Sequence, residues 1–212
     1  MSLEFNMSQK LSIYLIIILH AVGIVGTLIP ATSSLTISLT PVNLLISSTL
    51  LIYHSYPHRK GLLFFGIAFV IGMLIEIIGV SYGWPFGSYL YGYVLGPKFM
   101  GVPWIIGINW FMLSFSIGTI CQSFSSAKIL PAACGATLMV GLDLLIEPVA
   151  ISLNYWQWAE NSIPISNYIS WWFISFSILL ILLMIRPNLK IQIPTALIIS
   201  QVGYFLAILF FY

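Results

Sequence analysis

Three carboxylic acids stand in stretches otherwise built from apolar residues: Glu76, Asp143 and Glu147. An ionisable group inside a membrane is expensive, so such groups face the protein interior and are usually functional. Asp143 and Glu147 are spaced i,i+4, which projects both carboxyls from one face of a helix. Pro148 follows at once and lacks an N–H, so a carbonyl one turn back is freed. Asn109 and Asn167 supply amides near the same depth. Lys98 is the one base within reach, and one lysine cannot neutralise three carboxylates. At least one acid is therefore expected to keep its proton. A carboxylic acid held neutral is a proton donor. The competing reading is a polar knot that ties helices together through hydrogen bonds.

A second group of residues suits a different task. The stretch from Tyr82 to Tyr93 carries Trp84, Phe86, Tyr89 and Tyr91, and Lys98 and Trp104 follow. Five of the seven tryptophans, Trp84, Trp104, Trp156, Trp158 and Trp171, fall on or near one face of the protein. Two readings are open. One is an aromatic belt at the membrane interface, although a belt is expected at both interfaces and the opposite face is comparatively bare. The other is a set of π faces that stabilise a cation beside the acids.

The elements that position these residues follow from composition. Seven Lys or Arg and five Asp or Glu among 212 residues make charged residues 6% of the chain, against about 25% in a soluble domain. Hydrophobic residues make up 60%, and the mean hydropathy is +1.06. These values exclude a soluble enzyme, a nucleic-acid reader, a disordered chain and a secreted disulfide scaffold. Cys121 and Cys134 form no CxxC pair and no zinc-ligand spacing with histidine. The fold class is an all-α polytopic membrane protein, expected in the plasma membrane as one integral domain over residues 1–212.

A span needs about 20 apolar residues. Seven segments qualify, at roughly 11–30, 35–53, 62–82, 102–124, 129–153, 163–185 and 191–212. With seven spans the loops alternate between faces. Lys10, Arg59, Lys60, Lys128, Arg186 and Lys190 fall on the face bearing the N-terminus, and only Lys98 falls on the other. That bias predicts a cytoplasmic N-terminus and an outer C-terminus. It also places Glu76 about 21 Å along the third span, in its outer half, level with the two acids of the fifth. His20, in the middle of the first span, reads as a lone hydrogen-bonding residue apart from that layer, and Gln201 as similarly isolated.

Taken together, these residues resemble the membrane family of carotenoid hydratases, which includes γ-carotene and bisanhydrobacterioruberin hydratases. The resemblance rests on Glu76-x-x-Gly79-x-x-x-Gly83-x-Pro85-Phe86-Gly87-x-Tyr89-x-Tyr91, then Gly101-Val102-Pro103 and Trp110. It continues through Asp143-x-x-x-Glu147-Pro148, Trp156-x-Trp158 and Pro164-x-x-Asn167-x-x-x-Trp171. Where the family would read Gly-Val-Pro near the sixth span, this chain has Ser162-Ile163-Pro164.

The resemblance implies addition of water to the terminal C=C of an acyclic carotenoid held in the bilayer. A carboxyl among Glu76, Asp143 and Glu147 would protonate the alkene to a tertiary carbocation. Tyr89, Tyr91, Trp110 and Trp156 would stabilise that cation. A second carboxylate would act as base on the attacking water, which Asn109 and Asn167 would hold. Asp143 or Glu147 is the expected acid and Glu76 the expected orienter or base. No metal or redox cofactor is required, no nucleic acid is involved, and other enzymes of carotenoid biosynthesis are conceivable partners. The alternatives are an end-group cyclase or isomerase, which uses the same protonation, and a transporter or proton-handling membrane protein, for which intramembrane acids are equally good evidence. No inverted-repeat symmetry favours the transporter.

Overall fold

The computed structural model describes residues 7–125, 127–188 and 190–212. Within them lie eight helices: α1 Met7–Leu28, α2 Pro30–Ser38, α3 Thr40–His54, α4 His58–Tyr82, α5 Trp104–Gln122, α6 Ile129–Ser152, α7 Ile165–Ile185 and α8 Gln192–Phe211. Six are long and apolar enough to cross a membrane, or seven if α2 and α3 count as one bent span. The helices are apolar around their whole circumference. That is the pattern of segments packed on one side and facing lipid on the other.

The second span departs from expectation. Hydropathy predicts a single helix over roughly 35–53, whereas α2 and α3 meet at Leu39 with a bend of 50°. Pro41 explains the break. It sits in the first turn of α3, where its missing N–H is tolerated. In a continuous helix its ring would clash with the carbonyl of Ile37 and remove one backbone bond.

Helix α5 is the axis of the bundle. It is the most buried spanning helix and packs against α3, α4, α6, α7 and α8. Phe115 on α5 stacks with both Phe111 of the same helix and Phe64 of α4, while Phe111 meets Phe64 at a tilt, and all three rings are fully buried. Helices α6 and α7 pair along their length, and α1 pairs with α8 at the far side.

One end of the bundle is closed by short strands that hydropathy did not announce: β1 Tyr89–Tyr91, β2 Lys98–Phe99, β3 Val102–Pro103 and β4 Trp156–Trp158. Strand β1 pairs antiparallel with β4, matching Tyr89 to Trp158 and Tyr91 to Trp156. Strand β2 pairs with β3. Because successive strand residues point to opposite faces, Tyr89 and Tyr91 both turn inward while Leu90 is exposed. The ribbon thus hangs aromatic rings over the ends of α4, α5, α6 and α7.

Candidate functional site

Glu76 lies in the last third of α4, and two glycines on the same face let other elements reach it. A Cβ on Gly72 would stand 2.7 Å from the Trp110 side chain. One on Gly79 would stand 2.8 Å from both the Phe86 ring and the Tyr89 hydroxyl. The missing side chains admit Trp110 from α5 below the acid and the ribbon above it. Trp110 Nε1 donates to Glu76 Oε1 at 2.9 Å. Tyr89 and Tyr91 hydroxyls both donate to Oε2, at 2.5 and 2.7 Å. Burial, and then the proximity of Glu76, push both tyrosine hydroxyls well above their ordinary range. They remain donors.

Glu147, on α6, is held in the same manner from the other side of the ribbon. Trp158 and Trp156 donate their indole N–H groups to Oε2, at 2.8 and 3.0 Å. Asn167, in the first turn of α7, links the two acids of α6. Its Nδ2 lies 2.8 Å from Asp143 Oδ2 and 3.4 Å from Glu147 Oε1. Asp143 is completely buried, and its Oδ1 has no hydrogen-bond partner. Among the described residues no Lys or Arg bonds to any of the three acids. Lys98 instead donates to the Tyr91 carbonyl and stands 4.6 Å over the Tyr93 ring.

These groups enclose a small cavity of about 30 Å³. A single water needs roughly 10–15 Å³ of such space, so the cavity is of water size. Glu76, Glu147, Asn109, Asn167, Tyr89, Tyr91, Trp110 and Trp156 line it. Of the nine residues expected at the site only Asp143 lies behind the wall. Phe86, Trp158 and Trp171 also face the cavity, and Trp171 stacks on Trp110 at 4.4 Å between ring centres. The alternation in Tyr-x-Tyr and Trp-x-Trp was the signal that could have revealed the ribbon and Trp158, since period two marks a strand. The tryptophans now separate: Trp84 and Trp104 are exposed, as a belt requires, whereas Trp156, Trp158 and Trp171 belong to the cavity.

A second, larger cavity of about 240 Å³ adjoins the first. Ile106, Asn109, Ile146 and Trp156 line both. Its remaining walls come from α1, α2, α3 and α8, the break at Leu39, and Leu95 and Tyr155 of the connecting segments, and they are mostly apolar. Hydropathy did not anticipate this space, because its lining is indistinguishable in sequence from a lipid-facing surface. It also brings together His20 and Gln201, which read as isolated in the sequence. His20 Nδ1 is bonded to the Ile16 carbonyl at 2.8 Å, and Gln201 Oε1 is buried without a partner.

The sequence profile of a family described as carotenoid biosynthesis protein matches residues 37–212. This chain belongs to that family. Every residue of the acid layer falls inside the matched range. The chain is also similar to bisanhydrobacterioruberin hydratase of Haloarcula japonica, with 29% identity over 106 residues. That stretch is 46% of this chain and 36% of the Haloarcula protein, so the chain spans well under two thirds of its relative. No solved structure matches.

Proposed function

We propose that the protein is a carotenoid hydratase that adds water to the terminal double bond of an acyclic end group by acid–base catalysis, without a cofactor. The observation that carries this reading is the water-sized cavity between two carboxyls, set against a larger apolar cavity. Hydration of an unactivated alkene needs a proton donor, a shielded cation and one water on hand. The relative from Haloarcula, a hydratase by name, supports the same reaction class.

The acids divide by their surroundings. Glu76 accepts three hydrogen bonds from side-chain donors, and a carboxylate is an acceptor only, so its ionised form is fully satisfied. Glu147 also accepts three, from Trp156, Trp158 and Asn167, but it shares the Asn167 amide with Asp143, whose Oδ1 has no partner, and two like charges that close cannot both ionise without cost. This pair holds the proton, and Glu147, the member facing the cavity, delivers it to the alkene carbon whose protonation leaves the tertiary cation. The rings of Tyr89, Tyr91, Trp110 and Trp156 stabilise the positive charge. Water held by Asn109 and Asn167 attacks the cation, forming the C–O bond and losing its proton to Glu76. One proton has then moved from the Asp143–Glu147 pair to Glu76, and it returns before the next turnover.

Six bases against one across the alternating loops support an N-terminus in the cytoplasm and insertion in the plasma membrane. Expression in a host that accumulates lycopene or γ-carotene, with pigments resolved by chromatography and mass, tests the reaction. A product heavier by one water is expected. An isomer of unchanged mass would mean a cyclase, and unaltered pigment would overturn both.

A further inference from the structure

The larger cavity raises the question of how a long polyene reaches the acids. At about 240 Å³ it falls below the roughly 300–1,000 Å³ that enclose a drug-sized molecule. A carotenoid cannot be housed whole, so most of the chain must remain outside. The cavity has one wall suited to that. Val22 of α1, Leu39 at the break of the second span and Val42 of α3 line it, yet they are 61%, 48% and 47% exposed. Residues that face both the cavity and the exterior form its lip. All three are apolar, so in a bundle of this hydropathy the lip opens on hydrocarbon and not on water. Beyond the lip α1 and α2 close tightly, since a Cβ on Gly26 would overlap the Thr36 side chain. The gap is therefore local to the bend at Leu39, and the inner end of the cavity shares Asn109 and Trp156 with the acid layer.

We propose that this break is a lateral door through which an acyclic carotenoid enters end first from the bilayer, its polyene trailing through the lip into lipid. The proposal rests on the hydratase reading for what happens at the inner end, but not for the binding itself. A consequence follows for substrates with two reactive ends. Only one end fits at a time, so the two ends react in separate visits, and the singly hydrated product is released before the second addition.

The test uses the full chain in lipid vesicles loaded with lycopene. Binding is followed by quenching of tryptophan fluorescence by the polyene, and products by mass in the same samples. The double variant Val22→Phe/Val42→Phe, which narrows the lip, should slow quenching and weaken apparent affinity at least tenfold, whereas Leu138→Phe, on the exposed side of α6, should match the parent. Val42→Ala widens the lip and should load at least as fast as the parent. Unchanged quenching in the double variant, or slower loading in Val42→Ala, would overturn the door. Time courses should show singly hydrated lycopene rising and then falling; doubly hydrated product without that intermediate would overturn the end-first visit. If the parent binds lycopene, the double variant does not, and no product gains water, the door stands and the hydratase reading fails.

Discussion

The two cavities differ in how densely their polar groups are bonded, and the proposed mechanism puts the chemistry in the denser one. In the small one, Glu76 and Glu147 receive three hydrogen bonds each from donors on the ribbon, α5 and α7. In the large one, His20 is tied to the Ile16 carbonyl and Thr40 to the Tyr155 hydroxyl, but Gln201 Oε1 has no partner. A donor left beside no acceptor, or an acceptor beside no donor, costs about 1–3 kcal/mol in a dry interior. The Glu76 and Glu147 carboxyls are therefore fixed by partners whose loss is costly, whereas the Gln201 amide is held by no bond to its oxygen.

The largest consequences are expected in the fixed arrangement. Glu147→Gln and Asp143→Asn keep size and remove the proton that the proposed mechanism assigns to the pair. Water addition should fall by about 10²–10⁴-fold, the usual worth of a positioned acid or base. Glu76→Gln should fall as far, because an amide also presents N–H groups to Tyr89, Tyr91 and Trp110, which are themselves donors. Measured product per inserted protein decides the matter. Full activity in all three amide variants would end the acid–base mechanism.

A smaller effect is expected where packing, not charge, holds the layer together. Gly79→Leu places a side chain where the Phe86 ring and the Tyr89 hydroxyl stand, and so lifts the ribbon from Glu76. Loss of the Tyr89 bond to a charged acceptor is worth about 1.5–3 kcal/mol, which corresponds to a roughly ten- to hundredfold fall in rate. Gly66→Leu, at a helical glycine with open space around its Cβ, is the control and should retain the parent rate.

How much of this could be read from sequence also follows the boundary between the cavities. The acids, amides and aromatics of the small cavity were legible because charge and amide in a hydrophobic span are conspicuous, and eight of the nine named residues do line it. The ribbon was not, because three-residue strands inside a loop carry little periodic signal, and Tyr-x-Tyr pairs with Trp-x-Trp across more than sixty intervening residues. The bend at Leu39 was hidden by hydropathy, which sums residues and ignores that Pro41 interrupts the backbone ladder. The large cavity was illegible for a deeper reason. Val22, Leu39 and Val42 have the same chemistry whether they touch lipid, protein or substrate.

The ribbon also ties stability to alkaline pH. The Tyr89 and Tyr91 hydroxyls are pushed up in the folded protein by burial and by Glu76, while in the unfolded chain they titrate at about 10. Above that value the unfolded state releases protons that the native state keeps, so stability should be flat below about pH 10 and fall above it. The slope is about 1.4 kcal/mol per pH unit for each such tyrosine. Thermal unfolding in detergent, followed by tryptophan fluorescence, should show this fall. The Tyr89→Phe/Tyr91→Phe double variant should be less stable at neutral pH, yet lose less on going to pH 11.

The smallest effect is expected at Gln201, and its sign distinguishes the two cavities best. Glu76→Leu leaves three donors unpaired and should destabilise by several kcal/mol. Gln201→Leu removes a buried oxygen that has no partner and replaces it with apolar volume of similar size. That change should be neutral or stabilising by up to about 1 kcal/mol, seen as an unchanged or slightly raised unfolding temperature. It should also strengthen binding of an all-hydrocarbon chain in the larger cavity, because no amide then has to be covered by an apolar ligand. A destabilised Gln201→Leu would mean that this amide is structurally paired, and the contrast between the heavily bonded Glu76 and Glu147 and the unpartnered Gln201 oxygen would fail at the residue where it is drawn most sharply.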